Sequence, residues 1–146
     1  MDVLDVIKKE HRDIREIAER IKTASVMERP DLFDELYTKL LVHNETEEHV
    51  LYPRLVEKTG TRELAELVKE ESHLTRYQLS LLRRTSVGND TWNAKFHVLS
   101  RLVSLNMQEE EGQFDELVRQ NFTGEEMEEL TQSYNEKHQE LMAKYS

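Results

Sequence analysis

Leu4, Ile7, His11, Ile14, Ala18 and Ile21 recur at intervals of three and four, the spacing that gathers side chains onto one face of an α-helix. The same rhythm returns three more times along the chain, and nothing else in the sequence constrains the fold so tightly. The first stripe predicts a helix over about residues 3–23. After a break from Ser25 to Pro30, a second stripe of Phe33, Leu36, Leu40, His43, Glu47 and Val50 starts at Pro30, whose missing N–H costs nothing in a first turn. Pro53 must kink or end that helix, and Thr59-Gly60-Thr61 closes the segment. A third helix over about 62–84 is expected to turn Leu67, Glu70, His73 or Leu74, Tyr77 and Leu81 inward, with Gly88 in the terminating stretch from Ser86 to Asp90. A fourth over about 91–120 carries Trp92, Phe96, Leu99, Val103, Asn106, Glu110, Phe114 and Leu117 in register. A capping box, Thr123-Gly-Glu-Glu126, opens a shorter fifth helix bearing Met127, Leu130, Tyr134 and Leu141.

Four Gly and two Pro in 146 residues leave little material for turns, so the elements must be long and few. Short connections between long helices favour antiparallel neighbours. The expected architecture is all-α: an up-down-up-down four-helix bundle over 3–120 with an additional C-terminal helix over 124–144, making a single domain of residues 1–146. The fifth helix is expected to pack across the bundle as an addition.

The net charge of −10 argues against nucleic acid and anionic membrane as partners, since both are held by clustered Lys and Arg. The opening Met-Asp-Val-Leu-Asp lacks the basic and apolar regions of a signal peptide, and no apolar run approaches the roughly twenty residues needed to cross a bilayer. A cytoplasmic location is therefore expected. The absence of Cys removes disulfides, thiolate metal sites and iron–sulfur clusters, so any metal must sit on His, carboxylate, Tyr or amide oxygen.

Each stripe is apolar at both ends and polar near its middle: His11, then His43 with Glu47, then His73, then Asn106 with Glu110. In an antiparallel bundle the four middles meet. A buried imidazole or carboxylate costs several kcal/mol unless something compensates it, so polar groups at one depth on four helices imply a shared partner, and a metal ion is the most economical one. Residues four apart stand about 6 Å apart along the axis, so His43 with Glu47, and Asn106 with Glu110, can each reach two adjacent ions. A lone histidine on an apolar face is more often a hydrogen-bonded core residue, and His49, His97 and His138 are read that way or as surface groups.

The stretches Glu-His at 10–11, Leu-Val-His-Asn-Glu-Thr-Glu-Glu-His-Val-Leu-Tyr-Pro at 41–53, Glu-Glu-Ser-His at 70–73 and Glu-Glu-Glu-Gly at 109–112 resemble the hemerythrin-like, or HHE cation-binding, family. The resemblance implies iron as the cofactor, with two ions: His11 and His43 binding one, His73 the other, and Glu47 and Glu110 bridging them. This chain departs from the family pattern in two places. Asn106 stands where a His is expected four residues before Glu110, and Tyr77 stands where oxygen carriers place a His four residues after the equivalent of His73. Tyr77 and Asn106 are thus possible additional ligands, and Glu70, three residues before His73, a possible acceptor for a ring N–H.

The implied function is binding or sensing of O2, or of a related small molecule such as peroxide or nitric oxide, with scavenging possible and no catalytic residue assigned. A homo-oligomer is compatible with the sequence. Three other readings remain: a mononuclear metal site on His11, His43 and Glu47, a metal-free interaction bundle whose polar layer fixes helix register, and a ferritin-like di-iron oxidase or iron store. The last needs E-x-x-H on two helices, and only Glu70 with His73 supplies it.

Overall fold

A computed structural model describes all 146 residues, and every regular element in it is helical. Helix α1 spans Val3–Thr23 and α2 spans Arg29–Thr46. A five-residue π-helical segment, Glu47–Leu51, carries α2 directly into α3, Tyr52–Val56. Helix α4 covers Thr59–Arg83 and α5 covers Trp92–Glu109. A second π-helical segment, Glu110–Phe114, joins α5 to α6, Asp115–Asn121, and α7 runs Gly124–Tyr145. The four-helix bundle is therefore α1, α2 with α3, α4, and α5 with α6, and α7 is the additional C-terminal helix. No helix is long and apolar enough to cross a membrane.

The ends follow local chemistry. Asp2 accepts from the Asp5 N–H while Asp5 reaches back to the Asp2 N–H, and Thr123 and Glu126 form the same reciprocal box at the start of α7. Pro53 sits in the first turn of α3, where its missing N–H is harmless. The helix continues through the proline by way of a wider π-helical turn, in which the Tyr52 N–H donates to the Glu47 carbonyl five residues back. Beside that turn the Glu45 carbonyl accepts from the His49 ring at 2.7 Å.

Two apolar clusters of comparable size fill the interior. One gathers Leu4, Ile7, Leu51, Leu55, Phe114, Val118 and Leu130 with their neighbours. The other gathers Ile14, Ile21, Leu36, Leu40, Leu79, Trp92 and Leu99. Between them lies a buried layer of His11, His43, Glu47, Ser72, Asn106 and Glu110. Burying each large apolar side chain is worth roughly 1.5–3 kcal/mol, so two such clusters can carry a polar layer that is unfavourable by itself.

One expectation needs correction. Helix α4 turns Ala65, Val68, Ser72, Thr75, Leu79 and Leu82 inward, and Leu67, Glu70, His73, Leu74 and Tyr77 outward. The inner positions are small or β-branched, which lets α4 lie close to α5: the Asn106 amide donates to the Val68 carbonyl at 3.2 Å. The larger apolar residues suggested the opposite face. Helix α7 is the expected additional C-terminal helix. It packs on α1, α2 and the first π-helical segment, and with that cover Val42 to Thr46 are buried in succession.

Candidate metal centre

One turn separates Ile7 from His11 and His11 from Ile14, so burying α1's apolar stripe necessarily carries His11 inside. The same logic buries His43 after Leu40 on α2 and Glu110 after Asn106 on α5. One ligating atom from each of His11, His43 and Glu110 lies within 4.8 Å of the others. Glu47, one turn beyond His43, brings Oε1 to 3.0 Å from His43 Nε2.

The two imidazoles are held alike. His11 donates from Nδ1 to Glu111 Oε2 at 2.6 Å, and His43 donates from Nδ1 to Glu10 Oε1 at 2.7 Å. With those protons committed outward, each Nε2 faces the interior, His11 Nε2 lying 3.2 Å from Glu110 Oε1. A carboxylate behind a histidine fixes the tautomer and raises the basicity of the inner nitrogen, as behind metal-bound histidines. The backing groups are anchored too: Glu111 pairs with Arg15 at 2.9 Å, and Glu10 accepts from the Tyr134 hydroxyl at 2.8 Å.

Tyr52 completes the layer, its hydroxyl lying 3.3 Å from Glu47 Oε1 and 3.4 Å from Glu110 Oε2. Burial and the charges of Glu110 and Glu47 push its phenol well above the usual range. Burial also lifts Glu47 well above an ordinary carboxylate, with Glu110 adding repulsion. Glu110 goes the other way: burial opposes ionisation, yet hydrogen bonds from Glu47, His11 and His43 hold it far below the usual value. Burial works against a charged His43, but the Glu47 charge and the bonds to Glu10 and Glu110 raise it well above the usual imidazole value.

Two buried atoms in this layer have no hydrogen-bond partner, His43 Nε2 and Glu47 Oε2. The 3.0 Å approach between their residues is close but not aligned as a hydrogen bond. Unpaired lone pairs in a dry core are costly, and a cation satisfies both at once. The residues present thus fit a metal: two imidazoles and two carboxylates, with a phenol beside them.

The structure brings together His11, His43, Glu47 and Glu110, and keeps Asn106 buried with its amide committed to Val68. It does not bring His73 or Tyr77 to this cluster. The His73 side chain is 48% exposed, 4.0 Å from a still more exposed Glu70, and Tyr77 is 66% exposed. On the side of α4 that faces α5, Glu71 has a buried, unpartnered Oε1, and burial together with the charges of Glu109 and Glu110 raises its pKa. Glu10, Glu111, Tyr52 and Tyr134 were missed from the sequence. The Glu-His pair at 10–11 carried a signal for Glu10, whereas Tyr52 stood off the stripe.

A helical bundle with imidazoles and carboxylates converging in its centre is the frame of a cation-binding protein. The sequence matches the hemerythrin HHE cation-binding domain over residues 2–118, and the chain belongs to that family. It is 26% identical over 129 residues to a DNA nickase of Nostoc sp. (strain PCC 7120 / SAG 25.82 / UTEX 2576), a match covering 88% of this chain and 36% of the relative. The chain thus spans about a third of the length of that curated relative. Its fold is also that of a hemerythrin HHE cation-binding domain-containing protein from Mycobacterium kansasii, known from a crystal structure. The TM-score is 0.86 at 24% identity, over 99% of this chain and 89% of that one.

Proposed function

We propose that the chain holds a non-haem iron centre on His11, His43, Glu47 and Glu110 and binds O2, nitric oxide or peroxide there. The observation that carries this reading is the matched pair of imidazoles, each with Nδ1 committed to a backing carboxylate and Nε2 turned toward Glu47 and Glu110. Two imidazoles disfavour magnesium and calcium, while two carboxylates and a neighbouring phenol suit iron better than a thiolate-seeking metal. Bound iron supplies redox chemistry and an open coordination position for a small ligand.

The chain's own groups do the rest. Glu111 and Glu10 fix the imidazole tautomers, Glu47 and Glu110 would supply carboxylate oxygens to the metal, and Tyr52 holds a proton between those carboxylates. The apolar clusters on either side exclude water from the layer. A second ion has a thinner donor set than the first. It would draw on the shared carboxylates, Tyr52 and Glu71, because α4 offers no inward imidazole.

Metal analysis of protein produced with iron available tests the site. Iron is expected in the wild type and largely lost in both His43→Ala and Glu47→Ala, whereas full retention in both variants overturns the assignment. Adding O2, nitric oxide or peroxide to the reduced protein is expected to change its visible absorption, and a spectrum indifferent to all three overturns the ligand reading while leaving the metal site intact.

A further inference from the structure

Helix α4 carries two seams of period three and four. The inner one, from Ala65 to Leu82, is filled by the bundle. The outer one runs Glu63, Leu67, Glu70, Leu74, Tyr77, Leu81, Arg84, and nothing in the chain covers its centre: Leu67 is 49%, Leu74 57% and Tyr77 66% exposed. Beside it on α5, Val98 and Leu105 are 43% and 47% exposed, two turns apart on one face. Most of the large apolar side chains that the protein leaves in water thus lie on these two neighbouring helices, although scattered single exposure is the ordinary pattern.

We propose that this α4–α5 face is a homodimer interface in which α4 packs antiparallel against α4 of a second copy across a two-fold axis near His73 and Leu74. The sequence of the seam is self-complementary about that point. Antiparallel pairing sets Leu67 against Leu81, Glu70 against Tyr77 and Glu63 against Arg84, so a carboxylate meets a phenol O–H and another meets a guanidinium. Parallel pairing would stack Glu63 on Glu63, Glu70 on Glu70 and Arg84 on Arg84, which like-charge repulsion opposes. Arg84 donates from Nε to the Ser80 carbonyl one turn back, leaving its other N–H groups for a partner.

The dimensions agree. A helix of 25 residues is about 37 Å long, and with its neighbour it presents a face on the order of 700 Å², close to the ~800 Å² per partner of a standard interface. A seam repeating at 3.5 residues along its whole length is the pattern of helix-on-helix packing, so a second copy of the same helix fits it better than a flat or concave partner does.

Sedimentation velocity on the iron-loaded full chain tests the proposal. A dimer is expected at micromolar concentration, and Leu74→Glu is expected to give a monomer with unchanged circular dichroism and iron content, since that side chain touches neither core cluster. Glu63→Arg and Arg84→Glu should each weaken association several-fold, and the double exchange should restore it. A wild-type monomer throughout the micromolar range overturns the proposal and leaves the face to a different protein. A dimer indifferent to Leu74→Glu places the interface elsewhere, and failure of the double exchange to rescue overturns the antiparallel register.

Discussion

Tyr52 and Tyr77 show how much one residue's placement decides. Tyr77 stands where a histidine was expected, yet it points to solvent, while Tyr52 puts its hydroxyl between Glu47 and Glu110. Tyr52→Phe is therefore expected to alter the absorption of the ferric protein, and Tyr77→Phe to leave it unchanged. The reverse result would mean that α4 turns in the loaded protein. A second expectation concerns protons. With no ion bound, the Glu47 charge and the bonds to Glu10 and Glu110 favour a proton on His43, and burial with Glu110 repulsion favours one on Glu47, so protons compete with a cation for these atoms. Calorimetry in buffers of different ionisation enthalpy should detect proton release on metal binding, with affinity rising as pH rises. In the empty protein, the stability contributed by the raised His43 is complete below its ordinary value of about 6.5 and is lost as pH rises through the raised one. The lowered Glu110 and Glu10 contribute above the ordinary 4.5 and lose that contribution as pH falls, so stability should decline in both directions from mildly acidic pH.

At the scale of elements, the two π-helical segments set the site. Both begin at a carboxylate of the proposed centre, Glu47 and Glu110. In the first, the Tyr52 N–H donates to the Glu47 carbonyl five residues back, so Tyr52 stacks over Glu47 instead of lying off its face. Deleting Gly112, whose φ of −100° and ψ of −112° interrupt the second segment, should remove the extra residue and restore regular helix, keeping Phe114 and Val118 on their inner face while narrowing the turn that presents Glu110. A loss of iron content with a smaller change in melting temperature is expected, and a variant that keeps its iron would show that the segment is incidental. The same elements explain what the sequence could reveal. His11, His43, Glu47 and Glu110 were legible because each interrupts an apolar stripe at the same depth. Tyr52 was not, because a wider turn changes the register that any spacing argument assumes. The inner face of α4 was misread because its small residues are there to allow close approach, which pattern alone does not distinguish from a weak stripe.

At the scale of the whole molecule, α7 belongs to the centre's support. It buries Leu130, Tyr134 and Leu141, and Tyr134 anchors the Glu10 that holds His43. Truncation after Asn121 removes these three and the buried Phe122, four side chains worth roughly 1.5–3 kcal/mol each, a large part of the 5–15 kcal/mol typical of a domain, so marked destabilisation is expected in thermal melts. Tyr134→Phe keeps that packing, and its expected effect is a roughly tenfold or larger loss of metal affinity with little change in melting. The polar layer has one more consequence. Because it parts the interior into clusters of 13 and 12 buried residues, the cation is the bolt between two halves that otherwise cohere separately. Amide hydrogen exchange should then show two cooperative units opening at different free energies when the ion is stripped, and a single unit opening globally once it is restored.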